Sequence, residues 1–147
     1  MNRLKWWFRI YGAFYLLLAI LNLYGTFVDS SFYAQILPFK ADQTVVRTFV
    51  IGWSPFTFEI LGIATFLLWA SRDPLKYLGA VWLLVWLEFL HGVADDIYLI
   101  ANGFSAGEYI PFIVIHLIII VTGILFAQQV VAQSSSPAQR SAKASTL

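Results

Sequence analysis

The 147-residue sequence has no cysteine and few charged residues. Without cysteine there are no disulfides, thiolate metal sites, iron–sulfur clusters or Cys nucleophiles. Only 12% of the residues are charged and 60% are hydrophobic, whereas a water-soluble domain of this size needs more charge on its surface. The formal net charge of +1 argues against nucleic acid and highly charged substrates as partners. The composition indicates one all-α domain in a lipid bilayer.

Four mostly apolar stretches are each long enough to cross about 30 Å of hydrocarbon as a helix. Their expected bounds are about 7–28, 50–69, 77–101 and 111–132. The segment Ser71-Arg72-Asp73-Pro74 separates the second from the third, and residues 102–107 separate the third from the fourth. The connection over residues 29–49 is expected to be an irregular loop on the membrane surface. The sequence therefore predicts a four-transmembrane-helix bundle over residues 1–132.

Two further features concern the organisation of the chain. Residues 9–25 resemble residues 76–92, since each segment begins with a cation, carries Gly-Ala three residues later and closes on glycine. This pattern is compatible with two repeated helical hairpins in the same orientation, although membrane helices also share Leu and Gly by composition alone. The first apolar run is too long for a cleaved signal, so we expect a retained helix. Residues 133–147 are rich in Ser, Ala and Gln and are predicted to form a disordered cytoplasmic tail.

The basic residues predict the orientation, because Lys and Arg near span ends are retained in the cytoplasm. Seven of the nine lie on one predicted side: Arg3, Lys5, Arg9, Arg72, Lys76, Arg140 and Lys143. Lys40 and Arg47 lie on the other. We therefore expect both termini in the cytoplasm of a bacterial inner-membrane protein. Trp7 and Trp53 are expected at the inner and outer interfaces, as is usual for this amphipathic ring.

Ionisable side chains are costly inside a bilayer, so each one is a candidate site residue. Six fall within the predicted spans: Glu59, Glu88, His91, Asp95, Asp96 and His116. In a regular α-helix, Glu88, His91 and Asp95 lie within about 60° of one another, opposite Trp82 and Trp86. Asp96, near the outer surface, is expected to be solvated.

Each of the other predicted helices also has one face made of small and polar residues. The faces consist of Gly52, Pro55, Glu59 and Gly62 on helix 2; Tyr11, Tyr15, Asn22 and Gly25 on helix 1; and His116, Gly123 and Ala127 on helix 4. A rise of about 1.5 Å per residue places the polar groups of all four helices within about one turn of the same depth. We predict an outward-opening midplane pocket with a polar core of Tyr15, Asn22, Glu59, Glu88, His91, Asp95 and His116.

Three functions are compatible with this pocket. The first is binding or movement of a small apolar or aromatic compound, with walls drawn from Phe14, Tyr15, Phe58, Phe66, Phe89 and Phe112. The second is a non-catalytic accessory subunit whose Trp82 and Trp86 meet a membrane protein partner. There, hydrogen bonds from Glu59 to His116 and from Glu88 to His91 or Asn22 would only fix helix packing.

The third is a metal-dependent membrane enzyme with Glu59, Glu88, His91 and His116 as ligands. Glu88 and His91 have the Glu-x-x-His spacing of di-iron bundles, but such bundles usually contain two of these pairs. The chain also lacks G-x-S-x-G, H-E-x-x-H, G-x-G-x-x-G and P-loop motifs. The sequence thus favours a protein that is not an enzyme, and no cofactor is predicted.

Three stretches resemble a known family: residues 4–18 (LKWWFRIYGAFYLLL), 86–103 (WLEFLHGVADDIYLIANG) and 110–126 (IPFIVIHLIIIVTGILF). They are similar to the BphX-like family of small bacterial four-helix membrane proteins. Sterol isomerase-like and DoxX-like proteins are analogous only in fold. The resemblance implies an inner-membrane protein of uncharacterised function, with relatives associated with the breakdown of aromatic compounds. It assigns no catalytic residue and mildly favours the small-ligand interpretation.

Overall fold

A computed structural model describes the backbone of residues 2–134 and the side chains of residues 2–132. Within this range the chain is helical and has no strand. The helices are α1 (Asn2–Phe27), α2 (Ser31–Ile36), α3 (Gln43–Ala70), α4 (Leu78–Ala101) and α5 (Ala106–Ser134). Helix α4 consists of an α-helical part (Leu78–Leu87), a π-helical turn (Glu88–Ala94) and a second α-helical part (Asp95–Ala101).

Four of these helices, α1, α3, α4 and α5, are long and apolar enough to cross a membrane. Only 17–22% of the most apolar window of each is buried within the protein. Large apolar side chains such as Leu17, Leu83 and Val121 are more than half exposed. Water would not tolerate so continuous an apolar surface, whereas lipid tails cover it without cost. The protein is therefore a four-helix membrane protein, as the sequence predicted.

The first connection is more ordered than expected. Residues predicted as an irregular loop form α2 and the first turns of α3, so α3 begins at Gln43 rather than near residue 50. The carboxylate of Asp42 caps α3 by accepting a hydrogen bond from the Val45 N–H at 2.9 Å. Before α2, hydrogen bonds from Ser31 hold the pKa of Asp29 below its ordinary value. The connection is thus a short helix flanked by two aspartates that accept backbone hydrogen bonds.

The last helix also runs slightly beyond its predicted end. Helix α5 continues through Ser134, so residues 133–134 belong to it rather than to a tail. The rest of the predicted disordered tail, residues 135–147, lies outside the described residues. At its other end α5 follows a turn in which Gly103 has φ +94°, a conformation that favours glycine.

The spanning helices pack in the order α3, α1, α5, α4. Helix α1 makes its main contact with α3 and a smaller one with α5, which packs along the length of α4. In the part of the chain that the structure describes, α3 and α4 share no extended interface. The glycines on the predicted small and polar face of the second span, α3, do not meet a neighbouring helix, since a Cβ on Gly52 or Gly62 would find nothing within 4 Å. A cleft therefore remains between α3 and α4.

One half of the bundle is tightly packed. We call it the basic end, because Arg3, Lys5, Arg9, Arg72 and Lys76 lie at its margin; the opposite half, next to α2, is the loop end. The largest core cluster fills the basic end, with members from all four spans: Leu4, Trp7, Phe8, Ala64, Leu67, Ala70, Val81, Leu84, Ile119 and Ala127. Trp7 is buried rather than interfacial, because its indole N–H donates to Thr122 Oγ1 on α5 at 3.0 Å. Gly123 makes room for this indole.

Candidate functional site

A cavity of about 170 Å³ lies in the loop end, with walls from all four spanning helices. The lining residues are Tyr15, Leu18, Asn22, Trp53, Phe56, Glu59, Ile60, Ile63, Leu87, His91, Gly92, Asp95, Asp96, Leu99, Tyr109, Phe112 and His116. An engineered apolar cavity of about 150 Å³ accommodates benzene. The cavity can therefore hold a compound of about one aromatic ring.

The π-helical turn at Glu88–Ala94 sets which side chains of α4 face this cavity. A π-helical turn contains an extra residue and rotates everything after it relative to a regular α-helix. Asp96 is consequently buried, at 7% exposure, and Asp95 is the less buried of the two. The expectation of a solvated Asp96 is thus wrong, because it rested only on the position of this residue near the outer end of the span, whereas the side chain is buried in the cavity wall.

A buried carboxylate joins three helices behind the cavity wall. Glu88 on α4 is 1% exposed; its Oε1 accepts a hydrogen bond from the Tyr15 hydroxyl on α1, and its Oε2 lies 2.6 Å from His116 Nδ1 on α5. The imidazole fits because Gly92 faces it, and a Cβ at that position would overlap the ring. The network fixes α4 against both neighbours.

A second pair bridges the cleft between α3 and α4. His91 Nδ1 lies 3.5 Å from Glu59 Oε1, and the two side chains are 49% and 42% exposed. The Phe56 ring lies beside His91, with ring centroids 6.4 Å apart. The structure therefore exchanges the expected partners: Glu59 pairs with His91 and Glu88 with His116. Glu88 and His91 both lie in the π-helical turn, and they face different helices, α5 and α3.

Asn22 connects the cavity to α2. Its Oδ1 accepts hydrogen bonds from Trp53 Nε1 at 2.8 Å and from the Tyr33 hydroxyl at 3.2 Å, and its amide donates to the Leu18 carbonyl at 2.9 Å. Trp53 thus lines the cavity. The Trp53 ring also stacks on Phe49, with centroids 5.5 Å apart and planes 17° apart. These contacts hold the indole as a fixed wall.

Six of the seven predicted polar-core residues line the cavity, and the seventh, Glu88, lies behind it bonded to Tyr15 and His116. The aromatic prediction was less accurate. Tyr15 and Phe112 line the cavity and Phe14 packs against the core cluster, but Phe58, Phe66 and Phe89 lie exposed on the surface. Trp82 and Trp86 are also exposed, at 40% and 64%.

The lining residues that sequence reasoning missed include three aromatic side chains and one acidic one: Trp53, Phe56, Tyr109 and Asp96. Trp53, Phe56, Ile60 and Ile63 follow the spacing of one helical face, which could have identified that side of α3. Asp96 depends on the π-helical turn, for which the sequence has no simple signal.

The proposed metal ligands form two separate pairs instead of one cluster. Glu59 and His91 bridge the cleft, whereas Glu88 and His116 are joined by their own hydrogen bond. Within residues 2–134, no group of three or more His, Asp or Glu side chains is placed to hold a metal ion. The geometry therefore gives the metal-enzyme interpretation no support.

Comparison with known proteins gives one match. The family model described as BphX-like matches residues 1–132, which covers all four spanning helices. No curated protein and no solved structure matches the chain. Since the match extends over most of the sequence, this membrane protein belongs to the BphX-like family.

Proposed function

We propose that the protein binds a small apolar or aromatic compound, or lets it pass, through the cavity at the loop end. The observation that carries the proposal is the cavity itself, because its aromatic walls and few converging polar groups are the usual features of a ligand site. A bundle stabilised only by packing has no need of such a space, since protein interiors are normally close-packed.

The route into the cavity supports an apolar ligand. Glu59 and His91 line the cavity yet remain nearly half exposed, so the wall is open at the cleft between α3 and α4. That cleft lies between two spanning helices, so it opens sideways toward the lipid. Apolar compounds concentrate in lipid, and a lateral opening gives them direct access.

The protein is proposed to lie in the bacterial inner membrane with both termini in the cytoplasm, which places the cavity toward the outer face. The support is the excess of Lys and Arg at the basic end. A role in the breakdown of aromatic compounds follows from the family resemblance and the aromatic cavity.

Orientation can be tested by single-cysteine labelling, because the chain has no cysteine of its own. In intact cells a membrane-impermeant maleimide is expected to label Ser105→Cys, in the turn before α5. Asp73→Cys, between α3 and α4, is expected to react only after permeabilisation. The reverse pattern would contradict the proposed orientation.

Ligand binding is tested with fluorobenzene in nanodiscs, followed by fluorine NMR against empty nanodiscs. We expect saturable binding at one site per chain. Leu18→Trp fills the cavity and is expected to abolish this binding, whereas Leu17→Trp on the exposed side of α1 is the matched control and should retain it. Fluorobenzene uptake that never saturates, or equal binding by both variants, would contradict the proposal.

A further inference from the structure

The cavity and its polar wall contain more acid than base. Four carboxyl groups, those of Glu59, Glu88, Asp95 and Asp96, face two imidazoles, those of His91 and His116. None of the described residues lining the cavity is lysine or arginine. Even with both imidazoles protonated and paired with the glutamates, two aspartates have no countercharge of their own. A buried carboxylate without a countercharge is costly in the interior of a membrane protein, so a positive ligand is favoured here.

One aspartate oxygen is also without a hydrogen bond. Asp96 is 7% exposed, and its Oδ2 has no hydrogen-bond partner in the described structure. The nearest basic nitrogen is His116 Nε2 at 3.8 Å, which is beyond hydrogen-bond length. Buried polar atoms are nearly always satisfied, so this oxygen marks where a donor would bind.

The tautomer of His116 leads to the same conclusion. His116 Nδ1 lies 2.6 Å from the Glu88 carboxylate, and a carboxylate accepts a hydrogen bond from the tautomer that carries its proton on Nδ1; in that tautomer the Nε2 lone pair points toward Asp96. Two acceptors then face each other across 3.8 Å. A group with several N–H donors, placed beside both, satisfies them together, and a primary ammonium is such a group.

The rest of the cavity fits an aromatic ring attached to that ammonium. Trp53, Phe56 and Phe112 supply aromatic walls, and an ammonium within about 6 Å of such a ring face gains a cation–π attraction. The volume of about 170 Å³ suits one ring with a short substituent.

We propose that the cavity selects a protonated amine carried on a single aromatic ring, with its ammonium beside both Asp96 Oδ2 and His116 Nε2 and its ring against Trp53, Phe56 and Phe112. This inference rests on the proposed ligand-binding function and narrows it to a cationic class. The ammonium donates to both acceptors, and its charge offsets the surplus carboxylates. Neutral alcohols and hydrocarbons of the same shape meet only part of these requirements.

Three probes of nearly equal shape test the proposal: benzylamine, benzyl alcohol and toluene, titrated against the full chain in nanodiscs at neutral pH. Benzylamine is expected to bind about tenfold or more tightly than either neutral probe, as suits a charge-assisted hydrogen bond. Equal affinities for benzylamine and benzyl alcohol, or for benzylamine and toluene, would overturn the proposal. If none of the three binds saturably, the ligand-binding function itself fails.

Asp96→Asn keeps the shape of the side chain and removes its charge. It is expected to weaken benzylamine binding about tenfold and to change toluene binding less than about twofold. Asp73→Asn, outside the spans, is the control and should change neither. Unchanged benzylamine affinity in Asp96→Asn would overturn the proposal. If that variant does not fold, the ranking of the three probes on the unmodified protein decides the matter alone.

Discussion

The two ends of the bundle are built from the same four helices but differ in how closely those helices approach. At the basic end, Gly12 lies against Leu68 and Gly123 against Trp7, so helix surfaces touch and the space is filled by apolar side chains. At the loop end, the Glu59–His91 pair and the aromatic walls enclose a cavity. In lipid there is little hydrophobic drive to close such a space. Close contacts at small residues fill the basic end, whereas no such contact between described residues joins α3 and α4 at the loop end, and the space there stays open.

The largest expected effect on stability lies in the packed half. Phe8→Ala removes a fully buried ring and is expected to lower the free energy of unfolding by about 3 kcal/mol. This value is near the lower limit for such truncations, because lipid solvates apolar groups well. Unfolding by sodium dodecyl sulfate in mixed micelles measures this change. Leu83→Ala, on the exposed side of α4, is the control and should change stability by less than about 0.5 kcal/mol. Similar losses for both variants would mean that the basic end is not the packed core.

The buried network should rank second. Glu88→Ala leaves the Tyr15 hydroxyl and His116 Nδ1 without their partner and is expected to cost about 1–2 kcal/mol in the same unfolding measurement. Tyr15→Phe removes only one of the two hydrogen bonds and should cost less. A loss in Tyr15→Phe as large as that in Glu88→Ala would contradict the role assigned to the carboxylate.

Gly92→Ala tests the contact between α4 and α5 at the cavity wall. The added methyl group overlaps the His116 ring, which outweighs the better helix propensity of alanine, so we expect a net loss of about 1 kcal/mol. The displaced imidazole should also weaken ligand binding, as measured by titration in nanodiscs. Gly79→Ala is the matched control, since nothing lies within 4 Å of its Cβ position. It should be neutral or slightly stabilising, and equal behaviour of the two variants would contradict the account.

The smallest effect on stability is expected at the cleft. Glu59 and His91 are nearly half exposed, so Glu59→Gln should change the free energy of unfolding by less than about 1 kcal/mol. Because this pair bridges the cleft, its loss should instead alter the rate of ligand entry, measured by stopped-flow fluorescence. A stability loss matching that of Glu88→Ala would show that the cleft pair holds the bundle together.

The sequence predicted the four spans because a stretch of about 20 apolar residues between polar segments has the length and composition of a transmembrane helix. It also predicted the polar core, since ionisable groups inside spans turn toward one another. It could not predict that Glu88 and His91 face different helices, because regular periodicity does not hold through the π-helical turn at Glu88–Ala94. It placed Asp96 in solvent because this residue lies near the outer end of the span, although Asp96 lies in the cavity wall. Helical periodicity is therefore informative up to the first irregular turn and misleading beyond it.

The repeated-hairpin prediction remains a prediction. Gly25 and Gly92, which close the two similar segments, are both buried against aromatic or imidazole rings. Gly12 and Gly79, their earlier counterparts, differ, since only Gly12 contacts a neighbouring helix. The two segments therefore share a pattern of glycines without sharing their packing.

A crystal structure with bound 4-bromobenzylamine tests most directly whether the loop end is a ligand site and the basic end is not. The anomalous signal of bromine locates the ligand. The account predicts one strong bromine peak beside Trp53, Phe56 and Phe112, with the amine next to Asp96. Bromine peaks confined to the lipid-facing surface, or lying among Trp7, Phe8 and Leu67 at the basic end, would contradict it.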